Sequence, residues 1–284
     1  MTSPVLIVLF VVVALAGLVV GSFLTSVIHR VPARIPLTSK SRCPHCGLAL
    51  TPSRQIPVVS WVRLRGACAG CGGPISKRYP LIELFTGAAF VAVSWWVWES
   101  DTFVQALPSP RPSIESSALW SILVAYLYLA AIGIALAVID IDTHRLPNAI
   151  VLPASVVLAV LFTFACLRGA PWETLLRAAV GAVVLFVFYA LLRAVRPGAM
   201  GGGDVKLAGV LGAALAFVGW GSLIVGAFAA FLFGGFFGIV LMLTGRANSK
   251  SAIPFGPWMI AGAWVGLFAG ETLMGGYAGL LGTG

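Results

Sequence analysis

Charge is what this sequence lacks. Only 10% of its 284 residues are Asp, Glu, Lys or Arg, against about 25% in soluble globular domains. A chain that poor in charge and 60% hydrophobic has far more apolar side chain than a water-soluble core can hide, so it belongs in a lipid bilayer. The same composition excludes a disordered or collagen-like chain, and five cysteines are too few for a disulfide-dense secreted scaffold. The apolar runs are unbroken, which excludes a β-barrel, whose strands alternate between lipid and lumen. Acids are scarcest of all: nine against eighteen Lys and Arg, a net charge of +9. In a chain this apolar such an excess orients the protein across a membrane rather than binding nucleic acid.

The first apolar run, 5–28, resembles a signal peptide in length, but its positive residues His29, Arg30 and Arg34 follow the run instead of preceding it. It is therefore expected to stay as a helix with its C-terminal end in the cytoplasm. Further runs at 79–98, 119–139, 149–167, 175–192, 205–220, 222–244 and 253–268 predict an all-α polytopic membrane protein of about eight transmembrane helices. With both termini outside, fifteen of the eighteen bases fall on cytoplasmic segments, and only Arg111, Arg168 and Arg177 lie outside. A wrong helix count would mix the two groups. The expected domains are a first transmembrane helix (1–28), a cytoplasmic loop domain (29–78) and a seven-helix transmembrane domain (79–284). The Pro- and Ser-containing stretch 107–117 reads as an external loop.

The cytoplasmic loop, about fifty residues, is too small for a core of its own and needs a staple. Two Cys-x-x-Cys turns supply one: Cys43 with Cys46, and Cys68 with Cys71. Such turns converge four thiolates tetrahedrally on zinc, and Gly47, Gly70, Gly72 and Gly73 suit tight zinc knuckles. The alternative is a pair of disulfides, which a reducing cytoplasm disfavours. Four thiolates close the coordination shell, so the metal is structural. His45 reads as a solvated knuckle residue, and Cys166, alone in an apolar run, as packing.

Of the nine acids, Glu99, Asp101, Glu115, Glu173 and Glu271 fall on or near the outer side, where solvation explains them. Glu83, Asp140, Asp142 and Asp204 lie at or just within the cytoplasmic boundary, where a carboxylate is costly enough to suggest function. Asp140 and Asp142 straddle the end of an apolar run, and Pro147 and Asn148 suit the start of the next helix. Asp204 follows Gly201-Gly202-Gly203. It could be a plain N-cap, yet three glycines also let another chain approach closely. Two carboxylates on different helices at one depth are the ingredients of an aspartyl protease dyad, which shares a proton and titrates as a unit.

At these residues the sequence resembles the type IV prepilin peptidases, polytopic aspartyl peptidases of the GxGD class. The matching elements run through almost the whole chain. They are Gly21-Ser22-Phe23-Leu24 with Val27-Ile28-His29-Arg30, both Cys-x-x-Cys pairs, Ile56-Pro57-Val58-Val59-Ser60-Trp61 and Arg78-Tyr79-Pro80-Leu81-Ile82-Glu83. After these come Ile139-Asp140-Ile141-Asp142 with Leu146-Pro147-Asn148, Gly201-Gly202-Gly203-Asp204-Val205-Lys206-Leu207, and Ile253-Pro254-Phe255-Gly256-Pro257. The resemblance implies that Asp140 and Asp204 are the catalytic pair, with Asp142, Gly201, Gly203 and Lys206 in supporting positions. It implies a multi-pass protein of the bacterial inner membrane with its active site at the cytoplasmic face. Its substrates would be type IV prepilins or type II secretion pseudopilins, cut after a Gly that separates a short basic leader from an apolar helix.

Members with a cysteine-bearing loop commonly also methylate the new N-terminus with S-adenosylmethionine. Glu83, just inside the second helix, is a candidate for the sulfonium cofactor or the new α-amino group, and equally for a structural pairing with Lys77 or Arg78. Thr25-Ser26 stands where members often carry Asn and an apolar residue, a departure that weighs on methylation rather than on cleavage. Two alternative readings fit these residues less well. A presenilin-type protease has Tyr before its first aspartate and a late Pro-Ala-Leu, whereas here Ile139 precedes Asp140 and Pro153-Ala154 leads to Ser155. A cation transporter would place its acids at mid-membrane between inverted repeats, and none is visible.

Overall fold

The computed structural model describes residues 4–39, 41–43, 45–51, 55–99, 117–196, 200–245 and 253–280. The loop expected at 107–117 lies outside them except for its last residue, as do Asp101, Arg111, Glu115, Arg246 and Lys250. The described residues are helical but for short connections and the cysteine-bearing loop, whose only pairings are isolated bridges between Arg42 and Ala49 and between Ala67 and Pro74. The helices are α1 (Pro4–Arg30), the single turn α2 (Val59–Arg63), α3 (Arg78–Glu99), α4 (Ser117–Thr143), α5 (Asn148–Leu167), α6 (Trp172–Val195), α7 (Gly202–Val218), α8 (Trp220–Leu243) and α9 (Gly256–Leu280). Six of them, α1, α3, α4, α5, α6 and α8, are long and apolar enough to cross a membrane. The two other apolar runs form α7 and α9.

Helices outlast the apolar runs that announce them. The run at 119–139 stops at Ile139, but α4 continues through Asp140 and Asp142 to Thr143. It stops where His144 takes a left-handed φ of 51° and Pro147 supplies an extended turn into α5. Hydropathy marks the bilayer; backbone conformation ends the helix.

The chain divides into two compact units, residues 1–95 with 130–135, and 96–129 with 136–284. In the first, α1 and α3 cross closely at Gly17, Gly21 and Gly87; a Cβ on Gly17 would stand 2.8 Å from Gly87 Cα. In the second, α7 is the central helix, with 12 of its 17 residues buried, as its all-round apolar character requires. It packs along α6, and α8 packs along α9. On α9, Gly262, Gly266 and Gly270 face Ser222, Gly226 and Ala230 of α8, two ladders of small residues at four-residue spacing that bring the backbones together.

Two charges expected simply on the outer side do more. Arg177 of α6 donates from Nε to Ala216 O (2.5 Å) and from Nη2 to Phe217 O (2.8 Å) and Val218 O (2.9 Å). These are the last carbonyls of α7, which have no partner within the helix. Glu271 of α9, read as solvated, accepts the N–H of Ser222 (2.8 Å) in the first turn of α8. A carboxylate there also meets the positive end of the helix dipole.

Candidate active site

Asp140 projects from the last turn of α4 and is buried. Its Oδ2 accepts the backbone N–H of Gly256, the first residue of α9, at 2.9 Å. Asp204 is the third residue of α7, also buried, and its Oδ2 accepts the N–H of Gly201 at 3.0 Å. It is therefore not the N-cap that its position after the glycines suggests; Gly201 is the N-cap, and Asp204 reaches back from N3. Each carboxylate thus has one oxygen held by a glycine amide, and the two groups lie within electrostatic range of one another.

Leu146, in the connection between α4 and α5, brings them together. A Cβ on Gly203 would stand 2.7 Å from Leu146 Cβ, and one on Gly256 would stand 2.8 Å from Asp140 Oδ2 and 3.4 Å from Leu146 Cδ2. The chain admitted by the glycine run is thus the protein's own segment between its two acids. Lys206 locks the same junction, donating from Nζ to Asn148 Oδ1 at 2.8 Å. Asp142 is exposed; two residues along a helix place it about 200° around from Asp140. Tyr189 of α6, almost fully buried, lies within electrostatic range of Asp204.

Gly256 is the participant that sequence reasoning leaves without a role. Its signal is a glycine between Phe255 and Pro257 at the start of a helix: Pro has no N–H to give, so the glycine amide is the one left free to meet a side chain.

In the loop, the four thiols of Cys43, Cys46, Cys68 and Cys71 are free of disulfides and lie within 4.8 Å of one another. Cys43 and Cys71 Sγ are 3.9 Å apart, and Cys46 and Cys68 Sγ 4.0 Å. A tetrahedral metal with bonds of ~2.3 Å to sulfur needs edges of ~3.8 Å, so the cluster fits such an ion. Backbone N–H groups of Cys71 and Gly70 hold the Cys68 thiol down to about 6. At Cys46 the Leu48 N–H acts in the same sense, but burial and the thiols of Cys71, Cys43 and Cys68 push it up to about 11. A cation among the four would favour the thiolate at every one of them. His45 stays outside the ligand set, its ring lying over Gly73. Cys166 is buried, with Sγ 3.5 Å from Pro171 O.

Glu83 is buried in α3, and its Oε2 accepts the N–H of Val58 at 2.7 Å. It is the only acid in the first unit.

Residues 15–97 match the model of the bacterial peptidase A24 N-terminal domain, and residues 127–239 match the type IV leader peptidase family. Relatives named prepilin leader peptidase/N-methyltransferase align over nearly the whole chain. That of Stutzerimonas stutzeri is 31% identical, covering 94% of this chain and 93% of its own. That of Aeromonas hydrophila is 32% identical over 93% and 92%, and that of Bacillus subtilis 29% over 92% and 94%. No solved structure matches. Paired buried aspartates, a four-cysteine loop and these matches agree: the chain belongs to the type IV leader peptidase family.

Proposed function

We propose that the chain is a leader peptidase of the bacterial inner membrane that cuts type IV prepilins or pseudopilins after the Gly preceding their apolar helix, then methylates the new N-terminus. The observation that carries this reading is the pair Asp140 and Asp204, each with Oδ2 held by a glycine amide and its other oxygen left for chemistry. The ionised member accepts a proton from water as the water oxygen bonds to the scissile carbonyl carbon. The protonated member donates to the carbonyl oxygen. Collapse of the tetrahedral intermediate breaks the C–N bond, and the proton taken from water passes to the departing amine. A substrate helix in the membrane presents its leader at the cytoplasmic boundary, where the acid-bearing ends of α4 and α7 are placed by this reading. Residues 79–284 carry the peptidase, 1–28 the first span and 29–78 the metal-bound loop. Asp142 assists from the edge of the site, and Gly201, Gly203 and Lys206 hold the junction.

Incubating the purified full chain with a precursor and labelled S-adenosylmethionine, without any ion gradient, tests both steps through product mass and label. An uncut precursor would overturn the peptidase assignment.

For the loop the proposed ion is zinc, held by Cys43, Cys46, Cys68 and Cys71. Elemental analysis should find one zinc per chain, and chelation should unfold the loop before the helices, because the ligands supply most of its order. Oxidised thiols with no metal would replace zinc by disulfides.

S-adenosylmethionine, when bound, supplies a methyl group on a positively charged sulfur to the freed α-amino nitrogen. In the first unit only Glu83 offers a negative charge to a sulfonium or ammonium. Glu83→Gln keeps an oxygen for the Val58 N–H and removes the charge, so methylation should fall while cleavage persists. Fully methylated product from this variant would leave Glu83 with its structural bond alone.

A further inference from the structure

The short helix α2 is tied to α3, a helix long and apolar enough to cross a membrane, by one hydrogen bond. Glu83 lies five residues into α3, about 7 Å beyond its start, and its Cα is 2.7 Å from where a Gly21 Cβ would stand. Gly21 is itself nine residues before the end of α1, about 13 Å. The Glu side chain leans back toward the N-terminus of its helix, which brings its carboxylate close to the start of α3. Val58 donates to that carboxylate at 2.7 Å, so the turn at 56–58 is held against the first turns of α3.

The backbone there is unusual. Val58 has φ 58° and ψ −50°, and Val59 N donates to Pro57 O, a γ-turn that β-branched residues rarely adopt. The buried carboxylate of Glu83 takes the N–H that this turn leaves unpaired.

From this turn α2 runs Val59–Arg63. Its two valines one turn apart, Val59 and Val62, are 57% and 61% exposed and share a face. The other side is tied down: Trp61 Nε1 donates to Ile75 O at 3.1 Å. Arg63 and Arg65 follow, both exposed. Apart from Glu83, which is buried and engaged with the Val58 N–H, the first 98 residues of the chain contain no acid, so little negative charge opposes an anion at this face. A basic leader peptide or a second copy of the same loop would be repelled, whereas an anionic leaflet is attracted.

We propose that α2 is an interfacial anchor: Val59 and Val62 sit among the acyl chains of the cytoplasmic leaflet, and Arg63 and Arg65 hold anionic phospholipid headgroups. The loop is thereby pinned to the bilayer by a third point between α1 and α3.

The test uses the full-length protein in vesicles of phosphatidylcholine, alone or mixed with phosphatidylglycerol. A photoreactive p-benzoylphenylalanine placed at position 62 should give lipid adducts by mass spectrometry, and one placed at position 69, between the knuckle cysteines, should not. Adducts at 62 only to protein, or equal lipid labelling at both positions, would overturn the anchor. Independently, R63Q with R65Q should weaken retention of phosphatidylglycerol over phosphatidylcholine through purification by about fivefold per arginine. Unchanged retention in a folded double variant would remove the arginines from the proposal.

Discussion

Asp140→Asn and Asp204→Asn should each reduce precursor cleavage by about 10²–10⁴-fold or beyond detection, the range a positioned acid or base contributes, while leaving the protein folded in the membrane. The substitution is close to isosteric. A carboxamide oxygen can still accept the Gly256 N–H that Asp140 Oδ2 accepts, or the Gly201 N–H that Asp204 Oδ2 accepts, so the junction has no reason to open. What is lost is the capacity to take a proton from water or to share one. Each single variant should cost nearly as much as the double, because the pair acts as a unit. Asp142→Asn should stay within a few-fold of the unmodified enzyme, since Asp142 is exposed and on another side of α4. Rates are measured as the appearance of mature product in reconstituted vesicles, with metal content and helicity as folding controls. Wild-type cleavage by either folded dyad variant, or an equal loss at Asp142, would reassign the site.

Much of this arrangement can be read in the sequence because membranes tax charge so heavily. Nine acids in 284 residues leave few candidates, and topology removes most of them. The four-cysteine cluster is equally legible, since two Cys-x-x-Cys turns have few other uses in a basic loop. What stays hidden is the partner of each charge. Arg177 reads as one more outside base, yet it closes the end of α7, and Glu271 reads as solvated, yet it meets the first turn of α8. A charge near a helix end in the sequence looks the same whether it meets water or the end of another helix; only packing distinguishes them. Glu83 belongs to this group. Its hydrophobic surroundings announce an unusual acid, but nothing local reveals that Val58, 25 residues earlier, supplies its hydrogen bond.

The glycines were legible as a need for close approach, but not as to what approaches. Between Gly203 and Gly256 the visitor is Leu146, so the glycine run and the Pro-Phe-Gly-Pro element serve one purpose from two helices. They let the turn after α4 sink between α7 and α9, which leaves the two carboxylates within electrostatic range of one another. Lys206 and Asn148 then fasten the outer side of that turn, so the cation two residues after Asp204 is engaged at the junction.

Gly256→Ala should therefore slow turnover by about 10–100-fold with KM little changed. Gly256 has no left-handed φ to lose, because among the described residues the positive-φ glycines lie elsewhere, so alanine costs nothing in backbone conformation. Its amide also remains. The whole effect comes from the added methyl, which would stand 2.8 Å from Asp140 Oδ2 and 3.3 Å from its Cγ. That oxygen carries the hydrogen bond that aims the carboxylate, so relief of the clash moves a reacting group by a fraction of an ångström to an ångström. Displacements of that size cost up to about 10² in rate. The displaced atom belongs to the carboxylate proposed to react, so kcat rather than KM should bear the loss. Gly275→Ala, on the same helix with no atom within 4 Å of the new Cβ, should leave both constants unchanged. Equal turnover in Gly256→Ala and Gly275→Ala would mean that Asp140 tolerates the displacement and that the Gly256 amide does not aim it.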